Sequence, residues 1–119
     1  ICAAENKLPA TKKKVNDAVD FIDSNYSRID MSLNLVADTI GVNASYLSNI
    51  FKKEKGCSLS KYLTQTRLEQ AKKYLTEYPD KTLVEIAESI GYSDVYYFSK
   101  NFKKYYGISP SKYQEERKM

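Results

Sequence analysis

The chain writes one stretch twice. Residues 40–62 read "IGVNASYLSNIFKKEKGCSLSKY", and residues 90–113 read "IGYSDVYYFSKNFKKYYGISPSKY". Ser32-Leu33 pairs with Thr82-Leu83, Ala37 with Ala87, Ile40 with Ile90, Gly41 with Gly91 and Tyr46 with Tyr96, at an offset of 50. One residue then enters, and at an offset of 51 Leu47 pairs with Phe98 and Ser48 with Ser99. Phe51-Lys52-Lys53 pairs with Phe102-Lys103-Lys104, Gly56 with Gly107, and Ser60-Lys61-Tyr62 with Ser111-Lys112-Tyr113. A chain of 119 residues built this way is two copies of one supersecondary unit.

The spacing within each copy has a mechanism. Counting from Leu33, the apolar or small residues are Val36, Ala37, Ile40, Val42, Leu47 and Ile50, with Gly41 at position nine. A small residue at position five lets two helices approach. A glycine at nine takes the left-handed turn between them, so the pattern is that of a helix-turn-helix. The second copy repeats it with Leu83, Ile86, Ala87, Ile90 and Gly91. Such geometry also serves as plain scaffold, so the spacing alone reports packing. Basic pairs after each copy, Lys52-Lys53 and Lys103-Lys104, add an anionic partner to the reading.

Helical periodicity extends over the rest of the chain, and no strand-turn-strand pattern interrupts it. Val15, Ala18, Val19, Ile22 and Tyr26 make one amphipathic helix, expected to be capped near Thr11. Ser32 is the natural N-cap of a short second helix ending at Gly41, and a third spans about 44–55 and stops at Gly56. Ser58 caps a long fourth helix that closes before Pro79. Thr82 and Glu85 form a capping box for a fifth ending at Gly91, Ser93 is expected to cap a sixth over about 94–105, and Ser109 with Pro110 opens a seventh. The predicted fold is all-α with seven helices.

Composition narrows the chemistry. There is no histidine, and the two cysteines, Cys2 and Cys57, lie far apart with no CxxC. His-based triads, His general bases and most zinc sites are thereby excluded, and a disulfide framework is implausible, which points to a reducing cytoplasm. No nucleophile–base pair or phosphate-cradling glycine loop stands out, so we expect no catalytic residues, no metal site and no cofactor. No apolar run approaches the ~20 residues a membrane helix needs. The net charge of +4 is uneven. Residues 1–50 carry five Lys/Arg and six Asp/Glu, whereas residues 51–119 carry fourteen and nine.

The stretches "SLNLVADTIGVNASYLSNIFKKEKGCSLSKYL", "TRLEQAKKYL" and "TLVEIAESIGYSDVYYFSKNFKKYYGISPSKY" resemble the AraC/XylS-type transcription regulators over almost the whole chain. The finer likeness is to the C-terminal output domains of YesN-like response regulators. The resemblance implies two helix-turn-helix subdomains joined by a long central helix. We expect residues 1–10 as a linker or tail, 11–57 as the first subdomain, 58–78 as the connecting helix and 79–119 as the second subdomain. A helix over 58–76 would be roughly 28 Å long. That suits two recognition helices in major-groove segments about 34 Å apart on an asymmetric double-stranded site.

Helical phase turns Ser45, Ser48, Asn49 and Lys52 outward in the first copy, and Val95, Tyr96, Ser99, Lys100 and Lys103 in the second. By resemblance, Ser45, Ser48 and Asn49 sit where the family contacts base edges. Asn49 suits adenine, Lys100 guanine, and Val95 a thymine methyl, with Tyr96 beside them. Lys52, Lys53, Lys103 and Lys104 suit phosphate, as do the helix N-termini at Ser32 and Thr82. The second copy offers few bidentate donors, so it is expected to grip backbone more than it reads. Some of the family hold RNA polymerase, and that contact is open to this half. A sensing or receiver domain is expected in the full-length protein, and Arg67 is expected in a structural ion pair. Two alternatives stand beside DNA reading. One is an interaction module that kept the fold. The other is an alkyl-repair enzyme, whose chemistry needs the thiolate cluster this chain lacks.

Overall fold

The structure is a computed structural model that describes residues 10–118. The expected linker over residues 1–10 lies, but for Ala10, outside the described residues. Seven helices are present among them: α1 (Ala10–Asn25), α2 (Leu33–Ile40), α3 (Ala44–Lys55), α4 (Leu59–Glu77), α5 (Leu83–Ser89), α6 (Val95–Tyr106) and α7 (Pro110–Lys118). The chain divides into two compact units. The first holds α1, then Asp30–Leu63; the second holds Tyr26–Ile29 and everything from Thr64 onward. Helix α4 therefore begins in one unit and continues into the other.

Most expected boundaries hold, because cap chemistry is local. Ser32 Oγ accepts from the Leu35 N–H at 3.1 Å, and Ser58 Oγ from the Lys61 N–H at 3.1 Å. Thr82 and Glu85 close a reciprocal box, with bonds of 3.1 Å and 2.9 Å. Ser109 Oγ accepts from the Lys112 N–H at 3.2 Å, and Pro110 opens α7. Two expected caps fail. Thr11 lies inside α1, which already starts at Ala10. Ser93 does not cap α6, because with α6 starting at Val95 it stands one residue before the N-cap position. Asp94 does it instead, accepting from the Tyr96 N–H at 2.9 Å and the Tyr97 N–H at 3.5 Å.

In the first unit α1, α2 and α3 pack on one another, burying Val15, Ala18 and Ile22 against Val36, Ala37, Leu47, Ile50 and Phe51. The second unit has one core cluster, with Leu68, Ala71 and Leu75 from α4, Ile86 and Ala87 from α5, and Phe98 and Phe102 from α6. Dispersion and apolar burial drive both cores, and aromatic rings pack through the second, where Phe102 meets Phe98 at 5.9 Å and Tyr113 at 6.0 Å.

The tertiary structure extends the repeat beyond what the residue match discloses. Val15, Ala18 and Ile22 of α1 stand 53 positions before Leu68, Ala71 and Leu75 of α4, and all six are buried. Each unit is thus a helix followed by a helix-turn-helix and one more helix, of which the first unit holds only the start. Phe51 meets Tyr62 edge-on at 5.7 Å, and the equivalent Phe102 meets Tyr113 at 6.0 Å. The Tyr62 hydroxyl donates to Asp23 on α1 at 2.9 Å, and the Tyr113 hydroxyl pairs with Thr76 on α4 at 3.1 Å. A match confined to identical residues misses this, because apolar side chains interchange freely in a helical core.

Candidate nucleic-acid interface

Each helix-turn-helix is built from a short helix, a glycine turn and a longer helix with one polar face. In the first unit Gly41 sits at φ 78°, and its N–H and that of Val42 both donate to the Ala37 carbonyl at 2.9 Å. Only a residue without a β-carbon adopts that left-handed turn without strain. Asn43 then caps α3, its Oδ1 accepting from the N–H groups of Ser45 at 2.8 Å and Tyr46 at 3.2 Å. That fixes the phase of α3. Leu47, Ile50 and Phe51 are buried, while Ser45, Asn49, Lys52 and Lys53 are exposed and Ser48 is half-buried.

The second unit repeats the turn with one change. Tyr92 N–H donates to the Ala87 carbonyl at 2.9 Å, which is the Val42–Ala37 bond displaced by 50. The caps Asn43 and Asp94, however, differ by 51. The inserted residue is therefore Ser93, which enters before the cap and not after Tyr46. This corrects the expected pairing of Tyr46 with Tyr96: Ser45 corresponds to Tyr96 and Tyr46 to Tyr97, while Ser48 stays with Ser99 and Asn49 stands opposite Lys100.

The corrected register decides which side chains of α6 face outward. Tyr96 is 83% exposed and Tyr97, which was not expected in the site, is 57% exposed. Lys100, Lys103 and Lys104 are exposed and Ser99 is half-buried. Val95 is half-buried, as Ser99 is, and packs against the core cluster; its counterpart Ala44 is also half-buried. A signal for Tyr97 did exist: Phe98 must face inward, and two consecutive residues before it then take the open side.

The basic residues cluster at helix ends. Lys52, Lys53 and Lys55 lie in the last turn of α3, and Lys103 and Lys104 in the last turn of α6. There they complement the negative end of the helix dipole, and their ammonium groups remain available to anions. Ser32 and Thr82 occupy the matching N-terminal stations of α2 and α5. Both hydroxyls accept from the first turn, which leaves other N–H groups of that turn outward. Glu85 lies beside Thr82, and the bonds from the Thr82 N–H and hydroxyl hold its carboxyl below the usual range.

Arg67 lies inside the second unit, 8% exposed, and its partners are not the expected carboxylate. Its Nε donates to the Tyr26 carbonyl at 2.8 Å and its Nη2 to the Arg28 carbonyl at 2.7 Å. Its guanidinium stands over the Tyr92 ring, 5.4 Å from the centroid. A planar fork satisfies two carbonyls at once, which a single ion pair would not do.

Among the described residues no group of His, Cys, Asp and Glu side chains is arranged to hold a metal, and no helix is long and apolar enough to cross a membrane.

A family model described as a helix-turn-helix domain matches residues 36–116. The chain is 38% identical over 112 residues to the Msm operon regulatory protein of Streptococcus mutans, covering 94% of this chain and 40% of that protein. It thus spans about two-fifths of the length of this curated relative. The C-terminal domain of AraT, a response regulator from Geobacillus stearothermophilus, superimposes with a TM-score of 0.84 at 38% identity, covering 87% of this chain and 85% of that one. The C-terminal domain of the two-component response regulator yesN from Fusobacterium nucleatum superimposes with a TM-score of 0.79 at 36% identity, covering 82% and 93%. With its paired helix-turn-helix units and these likenesses, the chain belongs to the AraC/XylS-type helix-turn-helix family, as a DNA-binding output domain of a transcription regulator.

Proposed function

We propose that the chain reads double-stranded DNA through α3 and α6, placed in adjacent major-groove segments of an asymmetric site. The observation that carries this is the pair of polar faces at equal stations behind the two helix caps, Asn43 and Asp94. Ser45, Ser48 and Asn49 form the first reading set. Tyr96, Ser99 and Lys100 form the second. Asn49 suits bidentate pairing with adenine, and Lys100 suits guanine O6 and N7. Lys52, Lys53, Lys103 and Lys104 take phosphates, as do the helix N-termini at Ser32 and Thr82. The two sets differ at every station but one, so the site has no dyad.

The domain division follows the same reading: 11–57 and 79–119 are the two helix-turn-helix subdomains, and 58–78 is the helix that joins them. The full-length protein acts in the cytoplasm and carries a sensing or receiver domain outside this stretch. The greater length of the curated relative supports that. RNA polymerase is a further partner, met through the second subdomain.

Selection from a random duplex library at near-physiological salt tests the proposal. An enriched asymmetric site with two half-sites about one helical turn apart is expected. Weak binding without enrichment, insensitive to salt, would overturn it in favour of an interaction module.

A further inference from the structure

We infer that Arg67, through Tyr92, is a positioning residue for the recognition helix α6. The inference rests on the DNA-reading proposal above. It begins with a group that the DNA contacts do not use, a buried guanidinium in the middle of α4. Arg67 is held in place on one side by the carbonyls of Tyr26 and Arg28. Its other face covers the ring of Tyr92. It also fills the space at the Gly91 turn. A β-carbon on Gly91 would stand 2.8 Å from Arg67 Nη2 and 2.9 Å from its Cζ.

Tyr92 in turn is fastened to α6 at two points: its ring meets Phe98 at 5.7 Å and Tyr97 at 5.9 Å. Burial raises the pKa of its hydroxyl, and the side chains of Asn101 on α6 and Thr64 on α4 act against that rise. Tyr97 is exposed on the open side of α6, next to Tyr96, and one turn before Lys100. Any shift of the Tyr92 ring therefore moves the face that presents Tyr96 and Lys100. Base pairing by a lysine needs its ammonium within hydrogen-bond reach of two acceptors, so a displacement of about an ångström is enough to spoil it. In the first unit the counterpart of Arg67 is Lys14, whose Nζ donates to the Ile40 carbonyl at 3.3 Å but covers no ring among the described residues. Val42 stands where Tyr92 does, and the space at Gly41 is open.

A lysine at position 67 keeps the charge but not the planar fork, so it holds one carbonyl and leaves the ring uncovered. The test uses the site selected by the unaltered chain, with its half-sites assigned to α3 and α6 by Asn49→Ala and Lys100→Ala. Binding of Arg67→Lys and Tyr92→Phe is then measured on duplexes mutated in one half-site at a time, at a temperature where circular dichroism shows each variant folded. Ile108→Ala, which trims a half-buried residue on the same core, controls for lost stability. We expect Arg67→Lys to lose about tenfold in discrimination at the α6 half-site, the scale of one misaligned base contact. Discrimination at the α3 half-site should stay unchanged, and Ile108→Ala should lower the melting temperature without altering either. Equal loss at both half-sites, or unaltered discrimination in folded Arg67→Lys and Tyr92→Phe, overturns the inference. Failure of the unaltered chain to select any site overturns the DNA-reading proposal instead.

Discussion

The two helix-turn-helix units share a backbone plan and differ in how the turn is held. The first turn is open. Gly41 has nothing within 4 Å of the place a β-carbon would take, and its neighbour Val42 is half-buried. The second turn is packed. Gly91, at φ 98°, is buried beneath Arg67, and the Tyr92 ring lies between Arg67 of α4 and Tyr97 and Phe98 of α6. The same glycine in the same repeat therefore answers to two constraints. At Gly41 only the backbone dihedral matters, whereas at Gly91 the dihedral and the space both matter. The reading helices also begin differently, with a neutral amide cap at Asn43 and a carboxylate at Asp94. The first unit presents small hydrogen-bonding side chains, and the second presents tyrosines and lysines.

The largest test of this contrast is at the two glycines. Gly41→Ala meets only the cost of the left-handed conformation, about 1–2 kcal/mol. Gly91→Ala meets that cost and also a clash with Arg67 and the Tyr26 carbonyl, the latter at 2.9 Å. Thermal or urea unfolding should show a loss of at least about 3 kcal/mol there, in the range of overpacked core sites. Equal losses at both positions would break the distinction between the open and the packed turn.

The reading faces come next. Asn49→Ala should cost about 1–3 kcal/mol at its base and relax that position alone. Lys52→Ala and Lys103→Ala should instead weaken binding to all sequences and lower the salt slope by about 0.9 each. A base-specific effect at Lys103, or none at Asn49, would exchange their roles in the salt-titrated binding curves.

The caps separate the units by charge. Replacing Asn43 or Asp94 by alanine should cost about 1 kcal/mol of stability. Asp94→Asn keeps a side-chain oxygen for the cap and loses only a few tenths of a kcal/mol of dipole stabilisation. It should tighten DNA binding at low salt by removing a like charge near phosphate, and the gain should fade as salt screens it. Asn43→Asp should do the reverse.

The smallest effect belongs to the capping box, which α5 has and α2 lacks. The Glu85 carboxyl is held below its usual range by the bonds from Thr82. A depressed carboxyl contributes stability that is present above its unfolded pKa and lost as pH falls through the folded one. Glu85→Gln should therefore be slightly less stable than the unaltered chain at neutral pH. The gap should close in acid, as melting curves across the carboxylate range would show.

Much of the site was legible because its rules are local. Ser32, Ser58, Thr82 and Ser109 were readable as caps, since a hydroxyl reaches only the N–H groups two or three residues ahead. The inward set Leu47, Ile50, Phe51, Phe98 and Phe102 followed from a period of 3.6 residues. The errors fall where one residue of register decides the outcome. Ser93 and Asp94 are both good caps, and the choice between them moved Tyr96 from the counterpart of Tyr46 to that of Ser45. Nothing local discriminates between two adjacent cap residues; the packing of Phe98 does.

By itself the sequence determined the duplicated unit, the all-α fold, the positions of the helices and most of the polar faces, because period, glycine and caps act over a few residues. Only the tertiary structure showed that α1 and the later part of α4 are the same element, as Ala18 and Ala71 fill the same place in two cores. Only it showed Val95 packed against the core, Tyr97 turned out, and Arg67 bound to carbonyls in place of a carboxylate. Those outcomes depend on which distant chain segment supplies the acceptor or the cavity. Tyr26 and Arg67 stand 41 residues apart, and no local rule joins them.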